Sequence, residues 1–421
     1  MSTSVDRLKA ASLLVRVDDG AFASRLLGEV SAPGVRARVM GVLRLLRPLD
    51  AAIEASSRRK VASLDPEVRA ALRLGLYEIE GLGVPAPVAG DGAVHLIRRL
   101  GRPKASGLVN AVMRRAPAHW DRLVREGDDA LRHSHPEWLW RRWVRAFGRE
   151  AAEQAMAASQ LPAPLWVWFT DPEARGRLSN EEGIELHEHP WMPGALRATG
   201  SDLVGSLRKG DAYAQDPASQ LVAWLTASLT PTDSRVIDLC AAPGGKTARA
   251  ARDGNWGTAV AADLSLSRLR LCGRIFETGA VEVLRVVQDA ARPAVAGKRW
   301  DTVVLDAPCT GTGTLRRHPE LRYRLQPEDV SDRTGLQVKL LEGAFALVAP
   351  GGLLLYSTCS IEAEENEEHF KLLPEGFEVV DLMPSLPQGT PAILTSARGV
   401  RLLPQESCDG FTIHALRRLV V

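Results

Sequence analysis

The sequence lacks a long hydrophobic run. No segment approaches the ~18 consecutive apolar residues of a membrane-spanning helix, and the first residues lack the basic flank and apolar core of a secretory signal. These absences predict a cytoplasmic protein with no membrane partner. Low-complexity tracts are also missing, and 421 residues with 45% hydrophobic and 25% charged side chains indicate a folded protein of two or three domains.

Cysteine is scarce and scattered. The five cysteines are an odd number, widely spaced, with no C-x-x-C pair and no neighbouring histidine cluster. That pattern argues against a disulfide framework and against a zinc site, so we expect no metal. The cysteines are Cys240, Cys272, Cys309, Cys359 and Cys408.

Positive charge is concentrated in the N-terminal third of the chain. Residues 1–150 carry 26 Lys and Arg against 17 Asp and Glu, whereas the remainder carries 27 against 34. A basic N-terminal third indicates an anionic partner such as nucleic acid. A solvated, arginine-rich helical surface would explain the same numbers, so charge alone leaves both possibilities open.

The N-terminal third has a helical hydrophobic pattern. Val68, Leu72, Leu76 and Ile79 recur at spacings of three and four residues, and a proline follows Asp65 where a helix would begin. We therefore predict an all-α domain over residues 1–134. Mixed signals follow, including a short strand candidate over residues 165–169, and they predict a small α+β connecting domain over residues 135–212.

Residues 213–421 have the pattern of an α/β domain. Apolar runs alternate with helical segments, and such runs are typical of strands in a parallel sheet covered by helices on both faces. Asp216 followed by Pro217 predicts the start of the first helix. The predicted strands are Val236–Leu239, Ala259–Asp263, Val281–Val287, Thr302–Asp306 and Leu353–Tyr356.

The first of these strands runs into a glycine turn that opens a helix. Glycine lets the backbone approach a ligand, and a helix N-terminus favours negative charge. Asp263 ends the next strand about 20 residues on, where Rossmann-like sheets carry the acid that binds ribose hydroxyls. Asp289 follows the third strand and is placed to accept from an adenine amino group. The turn consists of Cys240, Ala241, Ala242, Pro243, Gly244, Gly245 and Lys246.

These features predict a cofactor built on an adenosine nucleoside. The turn is not G-x-G-x-x-G and lacks the upstream glycine of a phosphate-binding Walker loop, which disfavours a dinucleotide and ATP. Any one of the acids could instead be a turn or helix cap. Acids at successive strand ends argue against that explanation jointly.

Two thiols follow the fourth and fifth strands. Cys309 lies three residues after Asp306, and Cys359 follows Ser357-Thr358. In open α/β sheets, reactive groups gather outside the carboxyl ends of the strands. We therefore expect both thiols to face the crevice that holds the cofactor.

A thiol beside a methyl donor suits one difficult methylation. C5 of cytosine does not attack a sulfonium methyl unaided, but addition of a thiolate at C6 makes C5 nucleophilic. Asp306 is placed to protonate or hydrogen-bond N3 of the ring and stabilise that adduct. A second cysteine could assist the release that follows methyl transfer.

With these motifs the chain resembles the RsmB/Sun (Fmu) group of the Nop2/Sun RNA cytosine-C5 methyltransferases. The resemblance implies that Cys240–Lys246 binds S-adenosylmethionine, with Asp263, Asp289 and Asp306 completing the pocket. It also implies that Cys359 is the nucleophile and that Cys309 assists product release. Thr310 stands where serine is commoner in the family.

The N-terminal third is similar to the NusB-like RNA-binding domain of this group, through Leu72-Arg-Leu-Gly-Leu-Tyr-Glu-Ile and Gly107-Leu-Val-Asn-Ala-Val-Met-Arg-Arg. The resemblance implies a Rossmann-like class I methyltransferase domain joined to that helical domain. It favours 16S ribosomal RNA as substrate, naked or in a partial ribosomal particle. Arg316 and Arg317 are candidates for contacts with flanking phosphates, or a solvated pair.

Two alternatives stay open at this stage. One keeps the chemistry and changes the substrate to tRNA. The other is a non-catalytic RNA-binding or antitermination factor, against which both thiols and every cofactor acid count. A DNA cytosine methyltransferase is disfavoured, because its nucleophile lies in the Pro-Cys loop and the Cys359 thiol would be unexplained.

Overall fold

The computed structural model describes residues 3–28, 32–170, 173, 175, 176, 184–200, 207, 212–276, 282–294 and 299–420. The chain forms two units, one comprising Met1–Pro162 with Leu315–Leu325 and the other comprising Ala163–Thr314 with Gln326–Val421. The three-domain division at residues 134 and 212 stays a prediction.

The described part of the first unit is entirely helical. Its helices are α1 (Thr3–Asp18), α2 (Ala23–Gly28), α3 (Pro33–Arg44), α4 (Leu46–Ser57), α5 (Pro66–Glu80), α6 (Ala86–Arg99), α7 (Ser106–Glu126), α8 (Asp129–Arg132), α9 (Glu137–Phe147) and α10 (Arg149–Gln160), with 3₁₀ turns at Val61–Ser63 and Pro103–Ala105. Residues contributed by α1 to α7 form one hydrophobic core. The predicted all-α fold of this region is confirmed.

Helix α5 crosses that core, and its sequence explains why this segment is helical. Pro66 occupies its first turn, and Val68, Leu72 and Leu76 are buried along one face. Arg73, which the pattern places on the polar side, is also buried. Its guanidinium donates to both carboxylate oxygens of Asp50, at 2.7 and 2.8 Å, and to Asp18 at 3.0 Å.

The segment Leu315–Leu325 belongs to the helical unit although both its neighbours in sequence belong to the other unit. It contains the short helix Leu321–Arg324. Arg322 donates to the carbonyl oxygen of Arg44 at 3.1 Å, and Arg324 donates to that of Ala21 at 2.7 Å. Neither interpretation offered for Arg316, a contact with a flanking phosphate or a solvated side chain, is met, because Arg316 is 1% exposed. A buried guanidinium neither grips phosphate nor faces solvent.

The second unit contains a four-stranded antiparallel sheet in its described part. The strands are β1 (Trp166–Phe169), β2 (Ile184–Glu188), β3 (Leu196–Gly200) and β4 (Ala212–Ala214), in the order β2-β3-β1-β4. Val167, Phe169, Leu196 and Ala198 form a small apolar cluster on this sheet. The strand predicted at residues 165–169 is therefore present.

A larger sheet, with nine strands among the described residues, forms the main framework of this unit. Its order is β11-β12-β13-β9-β8-β5-β6-β7, and β10 pairs with β13. The strands are β5 (Arg235–Asp238), β6 (Thr258–Asp263), β7 (Val283–Val287), β8 (Trp300–Asp306), β9 (Val348–Thr358), β10 (Phe377–Val379), β11 (Ile393–Leu394), β12 (Val400–Leu402) and β13 (Phe411–Arg418).

The five predicted strands correspond to β5 through β9, which pair in parallel. Position 281, where the third was predicted to begin, lies outside the described residues. The chain runs from β5 outward through β6 to β7 and then returns to the other side of β5 with β8 and β9. That reversal places a crevice at the carboxyl ends of β5 and β8. The antiparallel strands beyond β9 were not predicted.

Helices cover this sheet. In the described part of the chain, no helix has the length and apolar character needed to span a membrane. The helices are α11 (Pro217–Leu229), α12 (Gly245–Asp253), α13 (Leu266–Leu271), α14 (Gly273–Phe276) and α15 (Pro327–Leu347), with 3₁₀ turns at Thr312–Thr314, Ala363–Glu365, Glu367–Phe370 and Met383–Ser385. Helix α11 begins as predicted, with the Asp216 carboxylate accepting from the backbone N–H of Ala218 at 2.9 Å.

We expect Arg73→Met to destabilise the helical unit by about 3 kcal/mol, because it leaves the partly buried Asp50 carboxylate without its cation, whereas Asp18 keeps Arg69. The matched control is Arg102→Met, since Arg102 is 46% exposed and its ion pair with Glu67 is a surface pair. Such a pair contributes about 0 to 1 kcal/mol. Urea unfolding followed by far-ultraviolet circular dichroism measures both, and equal losses would contradict the buried pair's role.

Candidate active site

The turn between β5 and α12 has the geometry of a nucleotide-binding loop. Gly244 has a φ of +97°, which favours glycine, and a Cβ there would lie 3.0 Å from Cys272 Sγ. The Asp238 carboxylate accepts from Thr247 Oγ1 at 2.6 Å and thereby ties the strand end to the first turn of α12. Burial raises the pKa of Asp238 to about 7, although the Thr247 hydrogen bond opposes the rise.

Acids follow the next two strands, as predicted. The Asp263 carboxylate is buried and accepts from the backbone N–H groups of Ala242 at 3.2 Å and Ser265 at 2.9 Å. A carboxylate has about four lone-pair positions, so it can still accept from two ligand hydroxyls. Asp289 is exposed, and its Oδ1 accepts from Ala291 N at 2.9 Å.

A cavity of about 350 Å³ joins these acids to the two thiols. Its polar residues include Asp263, Asp289 and Asp306, and Leu264, Leu336 and Leu340 provide apolar surface. Cys240, Ala242, Cys309 and Cys359 also line it.

These residues fit S-adenosylmethionine. An acid for the ribose, an apolar wall for the adenine and a helix N-terminus for the carboxylate are the groups that this cofactor needs. Gly244 is required by packing within the protein, since a side chain there would collide with Cys272 and Phe276.

The thiols of Cys309 and Cys359 lie together, with 3.2 Å between their sulfur atoms. They follow β8 and β9, which pair in parallel with Asp306 opposite Ser357. The hydrogen bond with Cys359 and burial raise the pKa of Cys309 well above its ordinary value. Cys309 is therefore held as the neutral thiol.

Asp306 is held between two partners at the mouth of the same crevice. It accepts from Lys246 Nζ at 2.7 Å and from Ser357 Oγ at 2.8 Å. Burial opposes the charge on Lys246, but the Asp306 carboxylate outweighs it, and the pKa of Lys246 is raised. The two groups form a charged pair with one hydrogen-bonded proton between them.

A second cavity, of about 180 Å³, lies on the Lys246 side of Asp306. Tyr213, Gln215 and Ser219 line it with the turn residues Ala241, Pro243 and Gly245. Gln215 Oε1 is buried and has no hydrogen-bond partner among the described residues. The Asp216–Pro217 pattern predicts only a helix start, so the place of this segment in the site was not predicted.

The structure thus brings the predicted residues to one edge of the sheet. Gly244 shapes the turn without lining either cavity, and the others line at least one. Their individual roles stay predictions. Sequence reasoning also missed Glu365, a fully buried acid that contacts the loops of both thiols.

The fold and site define an S-adenosylmethionine-dependent methyltransferase of the Rossmann-like class. Residues 226–417 match the model of the family described as 16S rRNA methyltransferase RsmB/F, and residues 5–117 match that of the NusB family. The chain is 34% identical over 429 residues to the ribosomal RNA small subunit methyltransferase B of Xanthomonas campestris, covering 96% of this chain and 95% of that one.

A second relative is the ribosomal RNA small subunit methyltransferase B of Thermus thermophilus, at 35% identity over 100% of this chain and 99% of its own. The chain belongs to the ribosomal RNA small subunit methyltransferase B family. It is an RNA methyltransferase that uses S-adenosylmethionine, so the resemblance and cofactor predicted from the motifs are confirmed. The non-catalytic alternative is set aside.

Solved structures share the fold. The crystal structure of PH0851 has a TM-score of 0.77 at 24% identity and covers 98% of each chain. The crystal structure of NSun6 from Pyrococcus horikoshii with SFG has a TM-score of 0.58 at 20% identity, covering 68% of this chain and 99% of that one.

We expect Asp263→Asn to weaken binding of S-adenosylmethionine roughly ten- to a hundredfold, because a hydrogen bond to a charged acceptor is worth about 1.5 to 3 kcal/mol. Isothermal titration calorimetry measures the change. The control is Asp233→Asn, an exposed acid before β5 at the opposite end of the sheet. Unchanged affinity in Asp263→Asn would show that this carboxylate does not bind the cofactor.

Proposed function

We propose that this enzyme methylates C5 of a specific cytosine in 16S rRNA through a covalent bond between Cys359 and C6 of the base. The observation that carries the proposal is the pair of thiols 3.2 Å apart, beside Asp306, on one wall of the cofactor cavity. A methyl transfer to oxygen or nitrogen needs no thiol. Two adjacent thiols fit a reaction that must both form and break a sulfur–carbon bond.

The substrate assignment draws on the relatives and on charge. The matching family is described as 16S rRNA methyltransferase, and the relatives are named for the small-subunit ribosomal RNA. Residues 1–150 carry 26 basic against 17 acidic side chains, which suits contacts to a phosphate backbone. The target base must be unstacked to reach the crevice, because its C5 and C6 atoms are shielded within a helix.

The first step is loss of the Cys359 thiol proton to water and addition of the resulting thiolate sulfur to C6. The sulfur–carbon bond forms as the C5–C6 double bond opens, and negative charge moves onto N3 and O2 of the ring. The Lys246–Asp306 pair holds a proton where N3 can receive it, and this neutralises the adduct. C5 is then enamine-like and nucleophilic.

When bound, S-adenosylmethionine supplies an electrophilic methyl group. The residues Cys240–Gly245, Asp263 and Asp289 would hold the cofactor in the crevice that the two thiols also line. The charge of Asp306 is already balanced by Lys246, so the enzyme needs no large rearrangement as charge changes on the ring.

The last step reverses the addition. Loss of the C5 proton to water re-forms the C5–C6 double bond and expels Cys359 Sγ as the thiolate, and N3 returns its proton to the Lys246–Asp306 pair. Cys309, held as the neutral thiol by its neighbour and by burial, donates a hydrogen bond to the departing sulfur. Removing Cys309 should therefore trap the enzyme on its RNA.

We expect Cys359→Ala to lower methyl transfer to 16S rRNA by more than about 1,000-fold, because the nucleophile is lost. Cys309→Ala should instead accumulate an RNA–protein adduct that resists denaturing electrophoresis. Labelled S-adenosylmethionine and bisulfite sequencing measure both effects on naked 16S rRNA, on partial small-subunit particles and on tRNA.

The control is Cys408→Ala, which removes a buried thiol that lines neither cavity. It should retain wild-type activity. Label in tRNA alone would show that tRNA, and not 16S rRNA, is the substrate. Label that persists at the same cytosine in Cys359→Ala would contradict the covalent mechanism.

A further inference from the structure

A single buried carboxylate joins the loops that carry the two thiols. Glu365 lies in the 3₁₀ turn after β9 and is 0% exposed. Its Oε2 accepts from the backbone N–H of Thr310 at 2.9 Å, and its Oε1 accepts from Ser360 Oγ at 2.6 Å. The Thr310 hydroxyl donates to Oε1 as well.

Those donors are the immediate neighbours of the thiols. Thr310 follows Cys309, and Ser360 follows Cys359. A fourth donor comes from helix α15, where Gln337 Nε2 reaches Glu365 at 3.0 Å and also the carbonyl oxygen of Pro308 at 2.9 Å. The residues on both sides of Cys309 and the residue after Cys359 are therefore held by one network.

We propose that Glu365 is a positioning residue that sets the separation of the Cys309 and Cys359 sulfur atoms. Its effect on turnover rests on the proposed function of the two thiols, whereas its effect on their geometry does not. Burying a carboxylate is costly unless donors satisfy it, and here four hydrogen bonds do so. A buried carboxylate with this many fixed partners holds the two thiol loops rigidly relative to each other.

The carboxylate also bears on the state of Cys309. The hydrogen bond with Cys359, burial, the charge of Cys359 and then that of Glu365 raise the pKa of Cys309. Glu365 thereby helps to keep this thiol neutral. Glu365 therefore acts on the position of Cys309 and, more weakly than Cys359 and burial, on the pKa of its thiol.

The substitution Glu365→Gln tests whether this carboxylate holds the two thiol loops in place, with little change in side-chain volume. The amide removes the negative charge and replaces one acceptor oxygen with an NH₂ group. Either the Thr310 backbone N–H loses its acceptor, or the Thr310 and Ser360 hydroxyls must accept instead of donate, and in both cases the charge-assisted hydrogen bonds to the thiol loops are lost. The matched control is Glu368→Gln, the same change three residues on at an exposed side chain paired only with exposed Lys371 in the described structure.

The geometric readout is the rate at which the azo compound diamide joins Cys309 to Cys359 in the native full-length protein, followed by mass spectrometry of the linked peptides. Diamide takes up two electrons and two protons as the two thiols become a disulfide, and the rate depends on sulfur geometry. We expect at least a roughly tenfold slower reaction in Glu365→Gln and a wild-type rate in Glu368→Gln, since sub-ångström placement governs such reactions.

The kinetic readout is methyl transfer to 16S rRNA. Glu365→Gln should lower kcat at least roughly tenfold while KM for RNA and affinity for S-adenosylmethionine stay within about twofold, because displaced thiols change the chemical step more than binding. A disulfide rate in Glu365→Gln within twofold of wild type, or equal slowing in both variants, would overturn the proposal.

The variant Thr310→Val keeps the test decisive if Glu365→Gln fails to fold, because it removes only the hydroxyl donor and preserves side-chain shape. It should slow disulfide formation severalfold in a protein that remains folded, and a wild-type rate would overturn the proposal. If the wild-type enzyme forms the disulfide quickly but does not methylate 16S rRNA, the proposed function fails while the positioning role stands.

Discussion

The site depends on the parallel pairing of β8 with β9. Because Asp306 lies opposite Ser357, the loops that follow both strands leave the sheet at the same edge and at the same height. A shift of the register by one residue would turn every side chain of a strand to the other face. That pairing is what brings Cys309 within 3.2 Å of Cys359 and lets Ser357 hydrogen-bond Asp306.

Electrostatics then distinguish groups that the fold has placed together. Lys246 neutralises Asp306 at 2.7 Å, so the charge beside the target base is balanced before the reaction. The neighbouring thiol and burial keep Cys309 neutral. Catalysis by fixed charges and dipoles requires that they be oriented in advance, and the buried network around Glu365 supplies that rigidity on the thiol side.

The cofactor half of the site was predictable from the sequence. The apolar run of each buried strand shows where that strand ends, and the carboxyl ends of neighbouring parallel strands lie at one edge of the sheet, so the acids at those ends lie close together. Glu365 was not, since it lies among five glutamates between positions 362 and 368, a pattern that normally indicates a solvated surface. The burial of Arg322 was equally hidden, because its partner is a carbonyl oxygen at Arg44, far away in sequence. The local sequence pattern indicates secondary structure and the chemistry of each side chain, but the partners of Glu365 and Arg322 are set by the tertiary fold.

In the proposed mechanism Cys359, and not Cys309, attacks the base. The most direct measurement uses 16S rRNA that contains 5-fluorocytidine, because fluorine at C5 cannot leave as a proton does and the adduct stays on the enzyme. Proteolysis and mass spectrometry then identify the modified peptide. We expect a methylated fluorocytosine on the peptide that contains Cys359. Attachment to the peptide that contains Cys309, or methylation without any adduct, would rule out Cys359 as the nucleophile.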